Sequence, residues 1–445
     1  MNKPLRIALI SEHASPLASI GGIDAGGQNI YVDQVARNLA RLGHEVDVFT
    51  RQDAPGLRPQ MPLCDGVRVI HIPAGPPRFI PKEQLFEHMP AFMDATERFM
   101  RASPRYDLVH ANFFMSGMVA QYLQRKLGLP FVITFHALGL VRKEHQKESD
   151  AFPAARIGIE RSIVRGADAI IAECPQDWQD LTRLYDAPEN RLTMVPCGFD
   201  HAEFSPMPQV QARAELGLGA DEFVVLQLGR LVPRKGIDNV IQALACARSR
   251  APTVRLKLLV VGGDGPVPNE RMTPEIRRLR RLAREQGVHS LVTFVGHRQR
   301  SELRRYYAAA DVFVTTPWYE PFGITPLEAM ACCTPVIGSK VGGLQYSIAH
   351  GKTGFLVPPR DPDALARRIL QLQANPKRAA AMAQAGVRRA NALFTWERVV
   401  QRLLNVYASV RRTAAMPSPD HRRAPAYGAA RSVNRSVGAL HELAR

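Results

Sequence analysis

The chain has 445 residues, 46% hydrophobic and 22% charged, a size and balance that argue for two or three globular domains and against a disordered protein. No apolar run reaches the ~18 residues of a membrane span, and the start MNKPLRIALIS, apolar only from Ile7 to Ile10 with no cleavage site after it, reads as a strand rather than a signal peptide. The formal charge of +17 favours anionic partners without choosing among nucleic acid, phosphorylated substrates and an acidic membrane surface.

Short Val/Ile/Leu-rich runs alternate with amphipathic stretches, the rhythm of parallel sheets. Strands are predicted at 5–11, 45–50, 67–72, 107–111, 130–136, 168–173 and 192–196. Between the first two, residues 28–42 put Val32, Val35, Leu39 and Leu42 on one helical face and stop at Gly43. After the turn-rich CGFDHAEFSPMPQVQ (197–211), strands resume at 223–228, 255–261, 292–295, 311–315, 335–338 and 354–357. TPEIRRLRRLAREQG (273–287) sets five arginines over Ile276, Leu279 and Ala283, the pattern of a solvated helix face. The last helices start at Asp361, an N-cap followed by Pro362.

The fold class is therefore α/β, with two doubly wound Rossmann-like domains facing across a cleft. The expected division is 1–205, 206–394, a terminal helix at 395–410 that packs back toward the first domain, and a basic tail at 411–445. That tail holds seven arginines against Asp420 and Glu442 and reads as disordered, with a weak affinity for anionic membrane surfaces. The six cysteines form no C-x-x-C and suit a reducing cytoplasm, so the expected location is cytoplasmic, peripheral to the inner face of the membrane.

In doubly wound sheets ligands sit at the carboxyl ends of the strands, so the loops there carry the functional reading. Gly26 and Gly27, just before a helix, leave backbone amides open to a phosphate or sugar. GRLVPRKG (229–236) sets Arg230 and Lys235 in one loop before a helix, which suits a diphosphate and the charge it develops on leaving. His136 closes the strand FVITFH and points at the cleft. GKT at 351–353 is no P-loop, because Tyr346 stands where the first glycine is needed, and no G-x-G-x-x-G follows a strand. No metal-binding spacing is present, so protein cations are expected to balance any phosphate charge. In WYEPFGITPLEAMA (318–331) Glu320 and Glu328 flank a turn; Thr325 and Glu328 fit a capping box on a helix starting at Pro326, which leaves Glu320 to be explained.

DAGGQNIYV, TFHALG, GRLVPRKG, FVGH (294–297) and the two glutamates, in this order, resemble the retaining nucleotide-sugar glycosyltransferases of the GT-B architecture, over about residues 5–410. The similar branch is the one that holds sucrose-phosphate synthase and the mycothiol glycosyltransferase. The resemblance implies that Glu320 contacts the donor sugar, Glu328 the ribose, Phe322, Gly323 and Ile324 the sugar and diphosphate, and Val295 to His297 the base. Arg230 and Lys235 would take the diphosphate and His136 would line the sugar site. Gln28, Asn29 and Thr134 fall on the acceptor side, while Lys82 and Arg156 match cations that meet a phosphorylated acceptor. The implied reaction moves a hexosyl group, from a UDP-sugar in the first instance, to a hydroxyl of an anionic sugar or cyclitol. It proceeds with retention by front-face attack, without a metal or other cofactor. HANFF (110–114), with Asn112 and Phe113, departs from the branch's usual His-Tyr, which puts the acceptor's identity in doubt. Two other readings explain less: a nucleotide-sugar epimerase of similar shape does not need the paired glutamates, and a nucleic-acid-binding protein lacks an aromatic strand or zinc spacing.

Overall fold

A computed structural model describes residues 3–18, 26–146 and 151–415. The expected tail beyond Ala415 and residues 19–25 of the glycine-rich loop lie outside the described residues. Among the described residues the first sheet comprises β1 (Arg6–Ile10), β2 (Glu45–Arg51), β3 (Gln60–Cys64), β4 (Val67–Ile72), β5 (Leu108–Asn112), β6 (Phe131–Thr134), β7 (Ala169–Ala172) and β8 (Leu192–Met194). Their order is β3-β4-β2-β1-β5-β6-β7-β8. The second sheet comprises β9 (Phe223–Leu228), β10 (Leu256–Val261), β11 (Val292–Gly296), β12 (Val312–Thr315), β13 (Val336–Ser339) and β14 (Gly354–Val357), in the order β11-β10-β9-β12-β13-β14. Both sheets reverse strand order near their middle, so each opens a crevice at the carboxyl ends of its central strands.

The apolar runs become strands because helices cover both faces of each sheet. Ile7, Leu9, Val48 and Val69 are fully buried, as are Val225, Leu226, Val312 and Val314 in the second domain. β3 is the element that the pattern conceals. It pairs antiparallel with β4 at the edge of the sheet, and Pro62 within it breaks the strand signature while being tolerated there. β6 ends at Thr134, two residues before the predicted end, which leaves His136 in a loop with φ of 57°.

The helix Trp396–Ala415 lies on the first domain: Tyr407 Oη is 2.7 Å from His110 Nδ1, and Arg411 is 3.1 Å from Asp107. Just before it, Thr395 pairs with Phe199 in an isolated bridge, so the chain crosses between domains twice at one place. On the helix Pro274–Glu285 the arginines are largely matched by acids, Arg278 by Glu275 and Asp238 and Arg280 by Glu270. That agrees with a solvated, ion-paired face. No helix among the described residues is long and apolar enough to cross a membrane.

Candidate functional site

The two sets of strand ends enclose one cleft cavity of about 560 Å³. Of the residues singled out from sequence, Gly26, Gly27, Gln28, Asn29, Lys82, His136, Arg230, Lys235, His297, Glu320, Phe322, Gly323, Ile324 and Glu328 all line it. The domains approach closely there: a methyl group added at Gly26 would come within 3.7 Å of the Arg230 guanidinium, and one at Gly27 within 3.8 Å of Ile324.

The cationic end is built from GRLVPRKG. Gly236, at φ of 66°, turns the loop into the helix Ile237–Arg250, and a Cβ there would strike Thr316 O. This turn sets Lys235 Nζ against Glu320 Oε2, with Arg234 Nη1 3.7 Å from the same oxygen. Burial pushes the Glu320 carboxyl up, but Lys235 and Arg234 outweigh it and hold it below the usual carboxylate range. Burial lowers the Lys235 ammonium to about 8, with Glu320 opposing the shift. The free protein therefore loses this charge as pH rises through about 8. We expect kcat/KM for the donor to fall over that range and the corresponding limb in kcat to lie higher, because a bound diphosphate favours the ammonium. Replacing Lys235 with Arg, which stays charged, should remove the limb; an unchanged profile in that variant would show that another group titrates.

His136 is fixed on both edges, Nδ1 at 3.1 Å from Glu173 Oε1 and Nε2 at 3.1 Å from Asn112 Oδ1. Asn112 donates its amide to Ile10 O and His110 O, which leaves its oxygen for the ring. His136 and Phe113, at φ of 57° and 88°, hold left-handed or strained backbone that side chains avoid, at about 1–3 kcal/mol each. Such strain sits where two adjacent strands end at the cavity.

Glu328 is 2% exposed, and its two oxygens accept from Arg300 Nη1 at 2.8 Å and Tyr307 Oη at 2.9 Å. The capping box expected for this turn does not form: the helix begins at Thr325 with Ile324 at the cap and no side-chain cap bond. Arg300 and Tyr307, rather than the backbone amide of Thr325, orient the carboxylate. Arg300 Nε also binds Glu203 in the segment that joins the domains.

Three expected contacts do not reach the cavity. Thr134 is fully buried, its hydroxyl taken by His110 Nε2 at 2.9 Å, and the loop that follows it lines the cavity through His136 and Ala137. Val295 on β11 is partly buried against the edge of the core and does not line the cavity, leaving His297 and Arg298 at the wall. Arg156 is 2% exposed beneath the site. Its Nε meets Glu160 at 2.7 Å, its Nη2 donates to Ala137 O, and its guanidinium stacks over Phe113, Phe114 and Phe152. Since Glu160 also accepts from Gly139 N, this pair braces the loop that carries His136. The sequence reading missed Glu173, Arg300, Arg234 and His13, and named Asn112 only as a departure from the branch's pattern. Arg234 was legible as a third cation in GRLVPRKG, whereas the others are brought in from distant strand ends. Among the described residues no group of three or more His, Cys, Asp or Glu is placed to hold a metal.

Residues 209–389 match the family model described as glycosyl transferases group 1, and residues 26–198 match a glycosyl transferase 4-like domain. The chain is 39% identical over 400 residues to D-inositol 3-phosphate glycosyltransferase 1 of Catenulispora acidiphila, covering 90% of this chain and 94% of that one. It is 37% identical over 400 residues to the D-inositol 3-phosphate glycosyltransferase of Thermobispora bispora, covering 89% and 93%. Among solved structures, sucrose-phosphate synthase of Thermosynechococcus elongatus superposes with a TM-score of 0.84 at 38% identity, covering 92% of this chain and all of that one.

Proposed function

Because the chain belongs to the glycosyl transferase group 1 family and is a glycosyltransferase of GT-B architecture, we propose that it moves a hexosyl group from a nucleotide-sugar to a hydroxyl of an anionic sugar or cyclitol, with retention and without a metal. The observation that carries this reading is the Lys235–Glu320 pair with Arg234 and Arg230 in one wall of the cleft. Glu320 would bind hydroxyls of the donor sugar, and the cations would stabilise the charge that grows on the departing diphosphate. Glu328, held by Arg300 and Tyr307, keeps lone pairs for ribose hydroxyls. The acceptor's attacking oxygen approaches on the face that the diphosphate leaves, and that diphosphate takes its proton. Closing the cleft excludes water and aligns the two substrates.

An anionic acceptor is supported by Lys82, which lines the cavity from the first domain, and by the relatives whose name includes inositol 3-phosphate. Arg142 lines the same wall and takes the place proposed from sequence for Arg156. A UDP-sugar is the first choice of donor. The test is a panel of UDP-, GDP- and ADP-sugars in EDTA, with D-inositol 3-phosphate, a hexose 6-phosphate and their unphosphorylated counterparts. Transfer in EDTA with retained anomeric configuration and a preference for phosphorylated acceptors is expected, and Lys82→Ala should reduce that preference about tenfold or more. An absolute metal requirement, or equal rates on phosphorylated and unphosphorylated acceptors, would overturn the corresponding part.

A further inference from the structure

The loop that brings Lys82 to the cleft has few hydrogen-bond donors of its own. Residues 73–81, PAGPPRFIP, include four prolines, none of which carries a backbone N–H. Where the loop is covered, its carbonyls need donors from elsewhere. Arg51 supplies them. It is the last residue of β2, and the register of β2 on β4 sets it beside Ile72, where the loop begins. Its Nη1 donates to Pro76 O at 2.8 Å and Gln52 O at 3.2 Å, with Ala74 O at 3.5 Å, and its Nη2 donates to Arg78 O. Arg51 is 5% exposed and does not line the cavity.

The opposite side of the loop is closed as well. Gly75 has φ of +71°, and a Cβ there would come within 2.7 Å of the His88 ring. Beyond the last proline the chain turns at once into the short helix Lys82–Gln84, with Gln84 N donating to Pro81 O at 2.8 Å, and Leu85 is buried just after it. Phe79, three residues before Lys82, is 54% exposed, so its ring does little to hold the loop. Lys82 is thus set between a buried anchor behind it and a loop clamped by one guanidinium ahead of it. A lysine is a point charge on a flexible stem, so its hold on an anion depends on where the backbone starts that stem, and a planar guanidinium fork fixes such a start with several bonds at once.

We propose that Arg51 is a positioning residue for the acceptor: by gathering the carbonyls of the proline-rich loop it sets the reach of Lys82 across the cleft, and with it the affinity for the acceptor's anionic group. This rests on the reading above, in which Lys82 meets that group. Arg51 stands outside the cavity and touches neither substrate, so its effect passes through Lys82.

The test compares a phosphorylated acceptor, D-inositol 3-phosphate or a hexose 6-phosphate, with its unphosphorylated counterpart, on the full chain with the sugar nucleotide that it uses. Arg51→Met, which keeps much of the side chain's length but none of its donors, should raise KM for the phosphorylated acceptor about three- to tenfold, change kcat by about twofold or less and leave kcat/KM for the unphosphorylated one in place. Arg51→Lys, with the charge but not the fork, should recover part of the loss. In a Lys82→Ala background Arg51→Met should add nothing, since a positioning residue has no further effect once the group it positions is gone. If Arg51→Met does not fold, Gly75→Ala carries the test, because it displaces the same loop from the His88 side with Arg51 intact and should give the same selective rise in KM. Equal losses on both acceptors, or the full loss persisting in the Lys82→Ala background, would mark Arg51 as structural and overturn the proposal while the anionic acceptor stands. Lys82→Ala with an unchanged preference for the phosphorylated acceptor would overturn the reading of Lys82, and the part of Arg51 with it.

Discussion

Glu320→Gln and Lys235→Ala are each expected to lower turnover by about two powers of ten or more, the loss found on removing one preorganised group that faces charge developing in a transition state. The two side chains meet directly, so neither variant leaves its partner as it was. Without Lys235 the Glu320 carboxylate keeps Arg234 at 3.7 Å and the weaker pull of Arg230. Without the Glu320 charge, Lys235 loses the interaction that opposes its burial and spends more time neutral, which weakens its hold on a diphosphate. The double variant should therefore cost about as much as the worse single one, as expected of groups that act as a unit. Thermal melting should move little, because the pair faces a cavity open to water rather than a closed core. Near-normal single-turnover rates in both variants would sink the assignment.

Gly342→Ala is expected to be nearly as damaging, although residue 342 makes no contact with substrate in the proposed reaction. Gly342 has φ of +43°, and a Cβ there would fall 1.9 Å from the carbonyl oxygen of Glu320. A Cβ at Gly343 would fall 2.5 Å from Phe322 Cα, and Gly343 N donates to Pro321 O at 3.0 Å. The turn that presents Glu320 and Phe322 thus rests on two bare backbones, and a methyl group at either must displace it. We expect a loss of about 1–3 kcal/mol in unfolding free energy and a fall in activity comparable to that of Glu320→Gln. Gly351→Ala is the control, since Gly351 has φ of +75° with nothing within 4 Å of its added Cβ. It should pay only the backbone cost of about 1 kcal/mol and keep its turnover. Equal activity in the two variants would show that the Glu320 turn does not depend on Gly342.

The strands and the donor motifs were legible in the chain because both are local. A strand buried on both faces needs a continuous apolar run, and residues 223–228 and 354–357 provide such runs over the spans where β9 and β14 form. A loop that must cradle charge needs glycine and cations within a few residues, which GRLVPRKG states outright. Tertiary structure decided whatever depends on which strand ends meet. Arg156 looked like a phosphate ligand, yet Glu160 one turn along its helix and three aromatic rings draw the guanidinium inward. Thr134 sits on a strand whose alternation decides cavity or core, and its register turned it inward to His110, while Val295 lies partly buried at the edge of the core. β3 was hidden by Pro62, a residue that only an edge position tolerates. Lys235 and Glu320 are 85 residues apart, so their motifs announced a charge and a carboxylate, and packing of β9 beside β12 made them one pair.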